Sequence, residues 1–155
     1  AAMQYRSMAA AAQADGVTMT LVAGYEDGDT GQAAYEARVQ TYRDKRKSEE
    51  EAARLAATIQ PAANANEHGT GYAADILSAD DPQQDTSFAE TRAYEWLTAY
   101  AAEYGFILRY PQDRQAATGI VFEPWHWRYV GVENALAIRA SGLSLEEFIA
   151  LQRAD

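Results

Sequence analysis

Cysteine is absent from the 155 residues, and histidine occurs only twice, as His68 and His126. The first absence excludes a thiol nucleophile, a thiolate zinc finger and disulfides, without fixing a compartment. Positive charge is scarce: Lys plus Arg is 13 against Asp plus Glu at 23, a formal net charge of −10. Binding a phosphate backbone depends on basic neutralisation, so no nucleic-acid partner is expected. A basic amphipathic surface for anionic lipid is also lacking. No apolar run approaches the ~20 residues of a membrane span, and no signal peptide stands at the front. Ser7, Ser48, Ser78, Ser87, Ser141 and Ser144 each lack a lysine three positions later, and there is no G-x-S-x-G elbow, so serine-nucleophile signatures are missing. The run Asp27-Gly28-Asp29-Thr30-Gly31 fails as a calcium loop, because Gln32 and Arg38 stand where glycine and a bidentate glutamate are needed.

Chemistry is densest in Phe122-Glu123-Pro124-Trp125-His126-Trp127-Arg128-Tyr129-Val130-Gly131. Pro124 keeps the backbone between Glu123 and His126 extended or turned, so a carboxylate and an imidazole can face one small volume. A zinc-ligating histidine beside a glutamate that takes the proton of the attacking water is the working pair of a hydrolytic zinc site. Such a site needs three protein ligands and an open position. The other histidine lies in Asn66-Glu67-His68-Gly69-Thr70-Gly71-Tyr72-Ala73-Ala74-Asp75-Ile76. Its two glycines permit a sharp turn, and a strand over 72–77 carries Asp75 back to the site. Two histidines, each with a carboxylate at metal-site spacing, are hard to explain as packing. Trp125, Trp127 and Tyr129 are assigned to packing first and to a substrate wall second.

The pattern H-G-T-G-Y-A-A-D, followed by E-P-W-H-W-R-Y-V-G, resembles the VanY-type D-alanyl-D-alanine carboxypeptidases, zinc peptidases of bacterial peptidoglycan. The likeness extends to Tyr104–Pro111 and Thr118-Gly119-Ile120, ends near 145–148, and covers the chain from about Met8. It implies zinc held by His68, Asp75 and His126, with Glu123 as base. It also implies a peptidoglycan stem peptide or precursor as partner and an extracytoplasmic location, with a targeting segment expected ahead of Ala1. Arg128 matches the family arginine after the metal histidine, facing the pocket or bracing the fold. One departure is marked. Where the family carries Ser-Gly-Tyr-Arg-Ser, this chain reads Ala23-Gly24-Tyr25-Glu26-Asp27, so two anions replace a cation expected to meet a substrate carboxylate. Asn66 replaces a serine and keeps hydrogen-bonding capacity. Tyr25, Glu26, Asn66 and Arg128 are therefore the candidate substrate contacts.

Length suits a single domain over residues 1–155. Helices are expected over 2–14, from Gln32 to about Lys47, from Ser48 onward with Glu51 at the capping-box position, from a Thr86 or Ser87 cap to Tyr104, and over 133–140 and 145–152 with a Ser144/Glu147 capping box. Strands are expected over 17–23, 72–77, 106–109, 119–123 and 126–130. The order gives an α+β fold: a small antiparallel sheet flanked by helices, with the zinc site on the sheet. The function expected is zinc-dependent removal of the C-terminal D-alanine from peptidoglycan stem peptides. The alternatives are L,D-carboxypeptidase or endopeptidase action on another wall peptide, or a catalytically weak zinc-containing peptidoglycan-binding domain.

Overall fold

The computed structural model describes residues 1–154. Alanine-rich α1 (Ala2–Ala14) leads through Gly16 into β1 (Met19–Ala23). Asp27 then caps α2 (Gly28–Asp44), accepting a 2.8 Å bond from the Thr30 amide. The loop after β1 therefore ends at Asp27, whose side-chain cap lets α2 start despite Gly28 and Gly31 in its first turn. Ser48 caps α3 (Glu49–Ala57), but only half of the expected capping box forms, since Glu51 engages Lys47 instead.

A 3₁₀ turn over Glu67–Thr70 precedes β2 (Ala73–Ser78), with Gly71 at φ +72 redirecting the chain between them. The long helix expected up to Tyr104 is divided into three. Asp85 caps a 3₁₀ segment at Thr86–Glu90, Thr91 caps α4 (Arg92–Tyr100), and a second 3₁₀ segment ends at Gly105, φ +85. Local side-chain caps compete with helix continuation wherever Asp, Ser and Thr cluster, which apolar spacing alone does not reveal. β3 (Phe106–Leu108), the short α5 (Gln115–Thr118), β4 (His126–Tyr129), α6 (Val132–Ser141) and α7 (Leu145–Gln152) complete the chain. The Ser144/Glu147 capping box is complete.

The strands form one antiparallel sheet in the order β1-β2-β4-β3. The strand expected at 119–123 does not form. Its amides go to separate partners, Val121 to the Thr58 carbonyl and Glu123 to the Tyr110 carbonyl, so no ladder is established. One sheet face presents Ala74, Ile76, Phe106 and Trp127 to α1 and α4, whose Met8, Ala12, Ala93 and Leu97 complete the main core. The period-2 alternation of a strand sends Asp75 and His126 to the opposite face. There α2 and α3, joined by Val39, Ala52 and Ala56, stand beside the 3₁₀ turn that carries His68.

Candidate active site

Register alone brings two of the sequence-predicted residues together. Asp75 in β2 lies directly opposite His126 in β4, and Asp75 Oδ1 is 2.9 Å from His126 Nδ1. Asn66 positions the third residue: its Oδ1 accepts from the His68 amide at 3.0 Å and starts the 3₁₀ turn that puts His68 Nε2 3.3 Å from Asp75 Oδ1. Glu123 is placed by a tight turn, the His126 amide donating to the Glu123 carbonyl at 3.1 Å across buried Pro124. Its Oε2 reaches 3.9 Å from His126 Nδ1. All four side chains are buried at the floor of a cleft of about 570 Å3.

Hydrogen bonds at the far nitrogens fix the tautomers. His68 Nδ1 lies 2.6 Å from the Gly24 carbonyl, which can only accept, so Nδ1 carries the proton. The β1–β2 register shifts just before Ala23, bringing that carbonyl into range. His126 Nε2 lies 3.3 Å from Glu67 Oε2, so the proton of His126 sits on Nε2. In their neutral forms, His68 Nε2 and His126 Nδ1 therefore turn lone pairs toward Asp75. Of the aspartate oxygens, Oδ2 accepts from Gln84 at 2.9 Å, whereas Oδ1 is buried with no hydrogen-bond partner among the described residues. The two imidazole nitrogens approach Oδ1 closely without the alignment of a hydrogen bond. Three lone-pair atoms converging within 4.8 Å form a donor set suited to a divalent cation, with N and O ligands of the kind zinc takes.

The electrostatics agree. Burial works against a charged His126, yet Asp75 and Glu67 outweigh it and push its pKa up to about 9. His68 is likewise raised by Asp75 against burial, and the imidazoles hold Asp75 low despite its burial. The site thus favours positive charge, which a bound cation supplies in place of protons. Glu123 responds oppositely: burial, reinforced by the Asp75 charge, pushes it up to about 7. A carboxyl balanced near neutrality suits proton transfer in either direction.

Glu67 was not singled out by sequence reasoning. Its Oε1 accepts from Arg109 Nε at 2.6 Å and meets Arg128 Nη1 at 3.3 Å, while Oε2 holds His126. Burial raises its pKa, but His126 and Arg109 more than offset this and bring it to about 2. Arg109 in turn forms a two-pronged pair with Glu146 of α7 and lies over the ring of Tyr110, which itself stacks on His126 at 4.9 Å. A carboxylate behind a metal-facing histidine fixes ring orientation and basicity. The only sequence signal was its place beside His68, because its partners lie 42 and 59 residues away.

The predicted substrate contacts separate. Glu26 lines the cleft, and Asn66 Nδ2 donates to its Oε2 at 3.2 Å. Both ends of the Asn66 amide are thereby engaged internally. Tyr25 is 71% exposed and does not line the cleft. Arg128 braces Glu67, contacts Thr70 and lies over Tyr72, lining a separate groove beside Phe148. Trp127 is core and Tyr129 packs on Phe106, whereas Trp125 lines the cleft.

Comparison with known proteins gives a consistent picture. The family model "VanY: D-alanyl-D-alanine carboxypeptidase" matches residues 1–132. A D-alanyl-D-alanine carboxypeptidase of Enterococcus faecalis is 37% identical over 139 residues, covering 90% of this chain and 50% of that protein. The chain spans about half the length of the curated relatives that it matches most fully. Two solved VanY structures are 33% identical, one with D-alanine-D-alanine (TM-score 0.87) and one a D,D-pentapeptidase variant with Zn(II) (0.84). Each match covers 96% of this chain and 80% of the other. The LD-carboxypeptidase LdcB is 31% identical at a TM-score of 0.85, covering 96% and 66%. Motif order, sheet topology and the matched length agree, and the chain belongs to the VanY family of D-alanyl-D-alanine carboxypeptidases.

Proposed function

We propose that residues 1–155 act as one zinc carboxypeptidase domain that removes the C-terminal D-alanine from peptidoglycan stem peptides outside the cytoplasmic membrane. The observation that carries this reading is the convergence of His68 Nε2, Asp75 Oδ1 and His126 Nδ1 beside Glu123 at the floor of an open cleft. The relatives' names support the wall peptide as substrate, and the Zn(II) complex of a VanY supports the metal. Zinc, held by those three atoms, supplies Lewis acidity for the scissile carbonyl and the attacking water.

The rest is done by the chain's own groups. Glu123 accepts a proton from water as the water oxygen bonds to the carbonyl carbon. It then returns that proton to the departing amine as the C–N bond breaks. Glu67 holds the Nε2 proton of His126, and the Gly24 carbonyl holds the Nδ1 proton of His68, so neither imidazole needs to reorient. Tyr110 is raised by burial and by Glu67, and stays a neutral phenol against His126.

The test is mass spectrometry of zinc-loaded protein with a soluble pentapeptide ending in D-Ala-D-Ala. The expected result is loss of one alanine, reduced about 10²–10⁴-fold in Glu123→Gln, which still binds zinc. Undiminished activity in that variant overturns the assignment. A second reading, L,D-carboxypeptidase or endopeptidase action, is favoured by Glu26 in the cleft and the likeness to LdcB. Products from peptides with other ends separate it from the first. Tight peptide binding without product instead marks a catalytically weak wall-binding domain.

A further inference from the structure

The cleft lining is strongly acidic. Glu26, Glu67, Asp75, Asp85 and Glu123 all border it, and a peptide ending in a free carboxylate must enter against them. Two of the nearby arginines are already committed: Arg109 to Glu67 and Glu146, and Arg128 to Glu67, and neither lines this cleft. Arg38 is different. It lines the cleft, is solvent-exposed, and forms no ion pair within 4.0 Å among the described residues.

Its position follows from α2. Gly31 sits so close to Asn66 that a Cβ there would come within 2.8 Å of the Asn66 amide nitrogen, so the helix wall rests directly on the residue that positions His68. Arg38 lies seven residues, or two turns and roughly 10 Å, further along the same stripe, with Tyr35 between them. The helix packs through Val39 against α3, which fixes its rotation and leaves the guanidinium beside the cleft.

We propose that Arg38 is the specificity-determining cation of this cleft, holding the C-terminal carboxylate of the substrate peptide opposite Glu26. A guanidinium offers a planar pair of N–H donors that matches a carboxylate, and its unpaired state leaves them free for one. The inference rests on the carboxypeptidase reading for its substrate class.

The test compares two peptides ending in D-Ala-D-Ala, one as the free acid and one as the terminal amide, binding to zinc-loaded Glu123→Gln protein by calorimetry. The acid is expected to bind about tenfold more tightly than the amide. Arg38→Ala should bring that ratio close to one without changing zinc stoichiometry, and Arg38→Lys should restore part of it. A ratio unaffected by Arg38→Ala, no preference for the acid, or no binding of either peptide overturns the inference. Turnover by the parent protein is read separately. Release of alanine with an Arg38-independent ratio sinks only the role of Arg38, whereas an Arg38-dependent ratio without turnover sinks only the peptidase reading.

Discussion

The two faces of β2 and β4 bury opposite kinds of side chain within a few ångströms of each other. Ala74, Ile76 and Trp127 fill an apolar core, while Asp75 and His126, their immediate neighbours in sequence, close a polar site on the other side. The core face is satisfied by area and shape, so its elements are interchangeable in chemistry. The site face contains a buried carboxylate oxygen without a hydrogen bond among the described residues and a carboxyl raised to about 7, both unfavourable for a folded chain. One face stabilises the fold, and the other holds groups kept in place by that stability.

Truncation at each face tests this division most strongly. Trp127→Ala should destabilise the protein by about 3–5 kcal/mol through lost burial and a residual cavity. Below its lowered melting temperature it should still bind one zinc. His126→Ala should instead abolish zinc binding, and circular dichroism should show the sheet retained. If Trp127→Ala lost zinc as completely as His126→Ala does, the faces would not be separable.

Metal addition sharpens the contrast from the other side. Zinc at a thousandfold excess over its dissociation constant should stabilise the parent by about 4 kcal/mol. Asp75→Asn, which removes the charge of the proposed aspartate ligand, should remove most of that shift. Calorimetry with and without chelator reads it directly, and an undiminished shift in the variant would exclude Asp75 from the ligand set.

Much of this division was legible in the sequence, but unevenly. The quartet His68, Asp75, Glu123 and His126 stood out because metal chemistry restricts residue type and spacing, and both histidines fell inside motifs. The strands at β2 and β4 were placed within about one residue, since a glycine turn bounds each, Gly71 ahead of β2 and Gly131 past β4. Failures occurred where long-range partners decide. The segment 119–123 has strand-like composition, but its amides find Thr58 and Tyr110 rather than a neighbouring strand. Glu67 escaped notice because its partners, Arg109 and His126, are groups that only the fold brings near.

Acid pH separates the network behind the site from the site itself. Glu67 has a folded-state pKa of about 2, below its ordinary 4.5, so its ion pairs stabilise the protein above pH 4.5. That stability is lost as pH falls through 4.5 toward 2, and amounts to about 3 kcal/mol. Glu67→Gln should therefore show a flatter acid limb in urea denaturation, with the difference from the parent vanishing near pH 2. A parallel limb would mean that Arg109 and Arg128 hold their places without the carboxylate.

The smallest effect has the opposite sign. Glu123 titrates near 7 in the folded chain against an ordinary 4.5, because burial disfavours its charge. The metal-free protein should accordingly lose stability as pH rises from 4.5 to 7 and stay at that level above it. Glu123→Gln removes the titration but still buries an amide, so the expected gain at pH 8 is about 1–2 kcal/mol, falling to nothing near pH 4.5. Zinc should shrink the gain, since a nearby cation favours the ionised carboxylate of the parent. Denaturant midpoints of both proteins at pH 4.5 and 8, with and without zinc, read all four corners. A variant that is less stable than the parent at pH 8 without zinc would show that Glu123 contributes to the fold as the core face does, and that the contrast between the two faces of the sheet is not one of stability.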